Sequence, residues 1–269
     1  MAAVITVSTL SGLYDALAHA TGGETIQLAS GNYGNLSLGT STGHNGTFPT
    51  NVTITSADPL HPATFSGFAL NGVSNLTLDG VVCDYTFKTG DPVYTAPFSI
   101  NGGDHITIKN STFDGDVAKG TATAADGFAT GLGLTVTGTQ NLVIQGNEIS
   151  NFYRGLTVSE TTNATIAGND VHAIRSDGMD FIQVQGITIE ANHIHDFLTS
   201  PDSGDHPDMI QFWTSGTTQP STDIVIRGNL LDSGNGTWTQ SIFMRNEMVD
   251  QGLAGQAMYY RNVTIEQNV

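Results

Sequence analysis

The sequence predicts an all-β fold, a right-handed parallel β-helix: a single-stranded solenoid of about eight or more coils with an N-terminal capping α-helix. Three observations carry this expectation. A short strand-forming motif recurs along the chain at a base period of 22 to 24 residues. Asparagine returns at one fixed place in that motif. Only residues 1–24 depart from it, and they read as a strand followed by an amphipathic helix.

The motif is a polar residue, three strand formers, two variable residues, and then often Asn with an aliphatic residue two further on. It reads NVTITSA from Asn51, NLTLDGV from Asn75, HITIKNSTF from His105, NLVIQGNEI from Asn141 and NATIAGNDV from Asn163. It continues as GITIEANHI from Gly186, DIVIRGNLL from Asp223 and NVTIEQNV from Asn262. Successive starts lie 24, 30, 36, 22, 23, 37 and 39 residues apart, a base period with the excess looped out. Three short strands and three turns need about that many residues, and no coil buries its apolar face alone, so neighbours stack. At roughly 4.8 Å per stacked strand, about eight coils make a rod about 40 Å long. Right-handedness follows from the crossover rule for parallel strands.

The recurrent Asn147, Asn169, Asn192, Asn229 and Asn268, with Ser111 in register, are expected to form an internal ladder at one turn. Asn tolerates a left-handed corner, and its amide can bond to the next coil. The N-x-T triplets at Asn75 and Asn163 are read as turn residues in preference to glycosylation acceptors. At the N-terminus, Val4 to Val7 form a strand, and Ser8 is expected to cap a helix with Leu10, Leu13 and Leu17 on one face, ended by Gly22 and Gly23. This segment would cover the open end of the first coil. At the other end NVTIEQNV stops within a repeat, so the chain is expected to continue past Val269. Residues 1–269 read as one β-helix domain.

Composition narrows the function classes. Lys and Arg number 8 against 25 Asp and Glu, a formal charge of −17 in a chain only 12% charged. Without clustered cations, nucleic acid and anionic membrane surfaces are excluded as partners. A polyanionic ligand then requires the few arginines to gather, or a divalent cation to bridge the charges. Cys83 is the only cysteine, so no intrachain disulfide forms. The opening MAAVITVSTL lacks a basic region followed by a long apolar run, and no later stretch approaches the length of a membrane span.

Aligning coils on the Asn ladder also aligns a third strand: FYRGLTV (152–158), RSDGMDF (175–181), HPDMIQF (206–212) and WTQSIFM (238–244). The alignment predicts one column of Phe152, Arg175, His206 and Trp238, a second of Arg154, Asp177, Asp208 and Gln240, and a third of Thr157, Asp180, Gln211 and Phe243. Leu156, Met179, Ile210 and Ile242 alternate with these and point inward. Three of the five arginines, Arg154, Arg175 and Arg245, lie on or beside this face, and insertions at 197–207 and 245–261 border it. Trp213, Trp238, Tyr153 and Phe243 offer platforms for sugar rings. The alternatives are a solvated salt-bridge face and aromatic residues that only shield the core. A separate column of Asp114, Ser150, His172, His195 and Asp232 reads as a turn ladder, with HIHD (193–196) a place for adventitious metal.

With these residues in place, the chain resembles the pectate-lyase-like β-helix superfamily, and its opening ITVSTLSGLYDAL…GGETIQLASGNY resembles the capped start of that superfamily's polysaccharide lyases. SDGMDF and DHPDMIQF resemble the active-site coils of alginate lyases and mannuronan C5-epimerase catalytic modules, although DHPD stands where those epimerases carry YGFDPH. The resemblance implies action on a uronate-containing, alginate-like polymer by C5 proton abstraction, as lyase or epimerase. It implies His206 as the base, Tyr153 as the acid, and Arg175 and Arg154 on the substrate carboxylate. Asp177, Asp180 and Asp208 would orient these groups or hold Ca²⁺, with Gln211, Trp213, Trp238 and Arg245 lining the groove. No organic cofactor is expected. A monomer is expected, working outside the cell or on its surface through an export signal outside this span. Two alternatives stand beside this reading: a glycoside hydrolase of polygalacturonase type, although the chain lacks that family's GHG motif, and a non-catalytic carbohydrate-binding or adhesive β-helix.

Overall fold

A computed structural model describes residues 3–269 and gives a parallel β-helix with three faces. One face is an eight-stranded parallel sheet running from Gly31–Asn32 through Glu148–Ser150, Asp170–His172 and His193–His195 to Leu230–Leu231. The other two belong to a fifteen-stranded sheet that folds around a corner. The strands Gly67–Asp79, Phe98–Lys109 and Leu132–Gln145 contribute to both of its halves. They bend where Gly72, Gly102 and Gly138 take φ of 65°, 68° and 66°, a left-handed turn that costs glycine nothing. Beyond them the two halves separate into Arg154–Ser159, Met179–Ile182, Asp208–Trp213 and Gln240–Met244 on one face, and Thr162–Ala167, Gln185–Glu190, Thr222–Arg227 and Arg261–Glu266 on the next.

Alternation along each strand supplies the core. Ile144, Ile166, Ile189 and Ile226 stack in register with no exposed surface. Ile149, Val171 and Ile194 do the same on the eight-stranded face. In the recurrent TI and EI pairs of the sequence the isoleucine is the inward residue and its neighbour the outward one, as a pleated strand demands.

The asparagine ladder forms as expected. Asn147 Nδ2 donates to Asn169 Oδ1, Asn169 Nδ2 to Asn192 Oδ1, and Asn192 Nδ2 to Asn229 Oδ1, each at 2.9 Å. The same carboxamide oxygens accept the backbone N–H of the preceding rung, and Ser111 N donates to Asn147 Oδ1 at 3.0 Å. The reason assigned to it needs correction. The left-handed corner belongs to the residue before each rung: Gly146, Gly168, Ala191 and Gly228, with φ of 63°, 63°, 53° and 61°. Freed from that role, each ladder Asn turns its amide inward, where it satisfies backbone groups that no strand partner reaches. The polar residues that open each repeat, Asn75, His105, Asn141, Asn163, Asp223 and Asn262, take a second left-handed corner, with φ between 51° and 58°.

The N-terminal cap is the helix Leu10–His19, with Leu13 and Leu17 wholly buried and Leu10 partly buried. Its N-cap is Thr9, not Ser8. Thr9 has extended backbone, and its Oγ1 accepts from Gly12 N at 3.1 Å, which is the bond an N-cap must supply. The helix ends at Ala20, before Gly22 and Gly23, and the Glu24 carboxylate ties that turn by accepting from Thr21 N and Gly22 N. Val4–Val7 pairs with Thr25–Leu28, so the cap enters the sheet before it crosses the end of the core. Among the described residues no helix is long and apolar enough to cross a membrane.

Candidate active site

The register of the candidate face is the expected one. Leu156, Met179, Ile210 and Ile242 stand over one another toward the core, and Thr157, Asp180, Gln211 and Phe243 form the adjacent outward column. Asp208 opposes Gln240, and Asp208 N donates to Asp177 Oδ1 at 3.2 Å. The column of Phe152, Arg175, His206 and Trp238 does not form. Arg175 N donates to Phe152 O, so the backbones stack, but the Phe152 side chain turns into the core at that corner and is fully buried. Trp238 stands 78% exposed, away from any platform. Corner residues lie outside the strand ladder, so nothing forces their side chains to share a direction.

At the centre, Arg154 reaches over two carboxylates. Its Nη2 lies 3.1 Å from Asp177 Oδ2 and its Nη1 3.2 Å from Asp180 Oδ2, ion pairs without the alignment of hydrogen bonds. The carboxylates of Asp177, Asp180 and Asp208 are essentially without solvent contact. One guanidinium does not balance three buried carboxylates, and their affinities for protons rise accordingly. Burial, opposed by Arg154 and reinforced by Asp208, lifts Asp177 to about 6. Burial and the Asp177 charge hold Asp180 well above the ordinary carboxylate range, and burial also raises Asp208.

His206 closes the cluster. Its Nδ1 lies 3.2 Å from Asp208 Oδ2, its Nε2 lies 3.1 Å from Gln240 Nε2, and its ring is 59% exposed. Gln211 Nε2 donates to the same Asp208 oxygen at 3.0 Å. Six of the seven buried side-chain polar atoms lacking a partner among the described residues belong to this face: Arg154 Nε, Arg175 Nη1, both Asp180 oxygens, Asp208 Oδ1 and Trp213 Nε1. Folded chains leave few such atoms, and their concentration in one place marks a site in preference to a scaffold.

Beside the cluster, Arg175 and Tyr153 make a separate arrangement. Arg175 Nε donates to Asp205 Oδ2 at 2.8 Å, and the Tyr153 hydroxyl donates to Asp205 Oδ1 at 3.2 Å. The Arg175 guanidinium lies 5.1 Å from the Tyr153 ring centroid. Burial and then the Asp205 charge push Tyr153 up to about 12. Asp205 lies in the 197–207 insertion, and sequence reasoning missed it. The signal was an acid three residues before Asp208 in a loop already read as a groove wall. Tyr94, edge-on to Tyr153 at 5.4 Å, was missed as well, because the 86–97 segment carries no repeat that would place it. These residues line a cleft of about 330 Å³ with Ala124, Arg175 and Ser203.

The remaining groove residues divide. Trp213 stays with the site, its ring centroid 6.0 Å from the Arg154 guanidinium. Arg245 pairs with Asp250 at 3.2 Å in the segment that leaves the last strand, and does not join the Arg154 cluster. For the expected Ca²⁺, Asp180 and Asp208 offer unpartnered oxygens of the hard-donor kind, and Asp177 lies beside both. The donor chemistry fits a hard cation, with Arg154 as its competitor for Asp177 and Asp180.

The family of right-handed β-helix regions matches residues 38–200 and 98–269 of the chain. The chain belongs to that family. The right-handed parallel β-helix expected from the sequence is therefore the fold of this chain. Among solved structures it is similar to the Dettilon tailspike protein, at 13% identity and a TM-score of 0.61 over 96% of this chain and 46% of the tailspike. It is also similar to the GH136 lacto-N-biosidase from Eubacterium ramulus, at 11% identity and a TM-score of 0.57 over 99% of this chain and 55% of the enzyme. PfbA, a surface adhesin of Streptococcus pneumoniae, is similar at 13% identity and a TM-score of 0.56, over all of this chain and 79% of the adhesin. This β-helix thus spans about half the length of the tailspike and of the lacto-N-biosidase. No curated protein sequence matches it.

Proposed function

We propose that this β-helix modifies a uronate-containing polysaccharide laid across its stacked strands, removing the C5 proton of one sugar as a lyase or C5-epimerase. The state of His206 carries the reading. The amide nitrogen of Gln240 can only donate, so His206 Nε2 holds the lone pair and Nδ1 the proton, which Asp208 accepts. An imidazole oriented by a buried carboxylate, its ring mostly in solvent and its Nε2 held only by an amide that a sugar can displace, is placed as a general base must be.

The neighbours of His206 supply the other demands. Arg154, whose side chain is 22% exposed, is the cation of the cluster that meets the uronate carboxylate and neutralises the charge that opposes loss of the C5 proton. In elimination His206 Nε2 takes that proton, the C5–H electron pair becomes the C4–C5 double bond, and the C4–O bond breaks with a proton passing to the departing oxygen. In epimerisation a proton returns to the opposite face of C5 and no bond to oxygen breaks. Asp177, lifted to about 6, is a group of the cluster able to hold such a proton. Tyr153, with its hydroxyl committed to Asp205, serves as a positioning residue for Arg175 in preference to the acid first expected. A bound Ca²⁺ would draw on Asp180 and Asp208 and neutralise uronate charge. Such work lies outside the cell or at its surface.

Hydrolysis is the second reading, favoured by one observation: Asp177 and Asp180 share a site and both rise above the ordinary range, as a protonated acid beside a carboxylate would. Incubation with a panel of uronate polymers, with calcium and with chelator, separates these outcomes. New ultraviolet absorbance from an unsaturated uronate indicates elimination, and altered C5 configuration by NMR without cleavage indicates epimerisation. New reducing ends without that absorbance indicate hydrolysis. Saturable binding with no product on any polymer overturns the enzymatic reading.

A further inference from the structure

We propose that a second face of this β-helix carries a transition-metal site, formed by Asp170, His193 and His195 and suited to Zn²⁺. The strand His193–His195 points both imidazoles outward while Ile194 fills the core between them. On the preceding coil Asp170 stands in register with His193, and His172 with His195. One ligand atom from each of Asp170, His193 and His195 lies within 4.8 Å of the others. His195 Nε2 is already 2.8 Å from Asp170 Oδ1, and the His193 and His195 ring centroids are 3.9 Å apart. Ligands on one tetrahedral Zn²⁺ sit about 3.3 Å from each other, so small side-chain rotations close the site.

The outer contacts are those of a built site. His195 Nδ1 lies 2.6 Å from Asp196 Oδ2, and Asp196 in turn accepts the backbone N–H of Asn235. This holds Nε2 toward Asp170, the carboxylate–histidine arrangement that orients metal ligands. On the following coil Asp232 Oδ2 lies 2.9 Å from His193 Nε2 and orients that ring. Imidazole with carboxylate selects a borderline ion over Ca²⁺ or Mg²⁺. The ion would tie two successive coils together on a face distinct from that of His206.

The test uses the full chain, freed of metal by chelator and dialysis, then titrated calorimetrically with ZnCl₂ and melted with and without it. We expect saturable binding of one Zn²⁺ per chain and a rise in Tm of about 5 °C at a hundredfold excess over Kd. Calcium and magnesium should give neither. His193→Ala and His195→Ala should each abolish the zinc-dependent rise, and Asp196→Asn should weaken binding about 10- to 100-fold through orientation alone. Should an alanine variant fail to fold, Asp170→Asn, which keeps the side-chain shape, gives the same reading. His206→Ala should leave the titration unchanged. No saturable binding, or binding that persists with His193 and His195 both replaced, overturns the proposal.

Discussion

Asp208 Oδ2 receives both the His206 ring at 3.2 Å and the Gln211 amide at 3.0 Å, so one buried carboxylate sets the direction of an exposed imidazole. The dyad is built from neighbours on a single strand start, while the charges around it come from the two preceding coils. Its two members have opposite relations to stability.

His206→Ala should lower turnover by about 10²-fold or more while leaving the circular dichroism and melting midpoint as they are, because the ring lies mostly in solvent. Steady-state kinetics on the best polymer of the panel checks this. A rate within about threefold of the parent removes His206 as the base.

Asp208→Asn should lose activity yet melt no lower than the parent at neutral pH. Burial raises the Asp208 carboxyl, so its charge is disfavoured in the folded chain. The variant keeps the shape and drops the charge but offers Nδ1 an amide, which disturbs the tautomer. A fall in kcat with KM unchanged, beside an equal or higher Tm, is the expected pair of results.

Stability should pass through a maximum in mild acid. Asp177, Asp180 and Asp208 all have folded values above the unfolded 3.8. A raised group contributes fully below its unfolded value and loses that contribution as pH rises through the folded one, about 6 for Asp177. Glu24, lowered to about 2 by hydrogen bonds from Thr21, and Asp196, lowered by His195, act in the opposite sense and lose their contributions as pH falls. Melts from about pH 3 to pH 8 should show the descending limb above about pH 4, and Asp180→Asn should flatten it. A Tm that climbs steadily to neutrality contradicts the burial of these carboxylates.

Arg154→Met should destabilise by about 3–5 kcal/mol, since it strands two buried carboxylates without a counter-charge. Adding Asp177→Asn and Asp180→Asn should recover much of the loss. Urea midpoints of the single, double and triple variants measure the coupling, and simple additivity would mean that the pairs contribute nothing.

Asn192→Ala should cost about 2–4 kcal/mol, because it removes the side-chain partners of Ile166 O and Asn169 N in the core, while Asn229 Oδ1 keeps only the residue 192 backbone N–H. A urea midpoint within error of the parent would show that the ladder is ornamental to stability.

The scaffold was legible because solenoid geometry writes itself into spacing. Once Asn147, Asn169 and Asn192 are aligned, Leu156 must fall over Met179 and Met179 over Ile210, and they do. The Arg154, Asp177, Asp180 and Asp208 cluster was legible for the same reason, since each lies on a strand or within one bond of it. Legibility fails at the corners and loops. Phe152 and Trp238 lie where no ladder fixes direction, and Asp205 acts from an insertion whose path the repeat does not encode. The Asn corner was misassigned by one residue, because Gly146 and Asn147 both suit a turn and only the backbone angles tell which one bends.

The strand and asparagine ladders join each coil only to the coils above and below, so the length of the molecule and its chemistry are independent variables. The turns beginning at Asn141 and Asn163 differ in length by one residue, 22 against 23, and exchange the same set of bonds with their neighbours. A whole turn duplicated or excised near the cap would slide the Arg154–His206 cluster along the shaft without altering a single contact inside it. Lineages built on this plan can lengthen or shorten their reach by copying units, while selection on the reactive groups proceeds undisturbed.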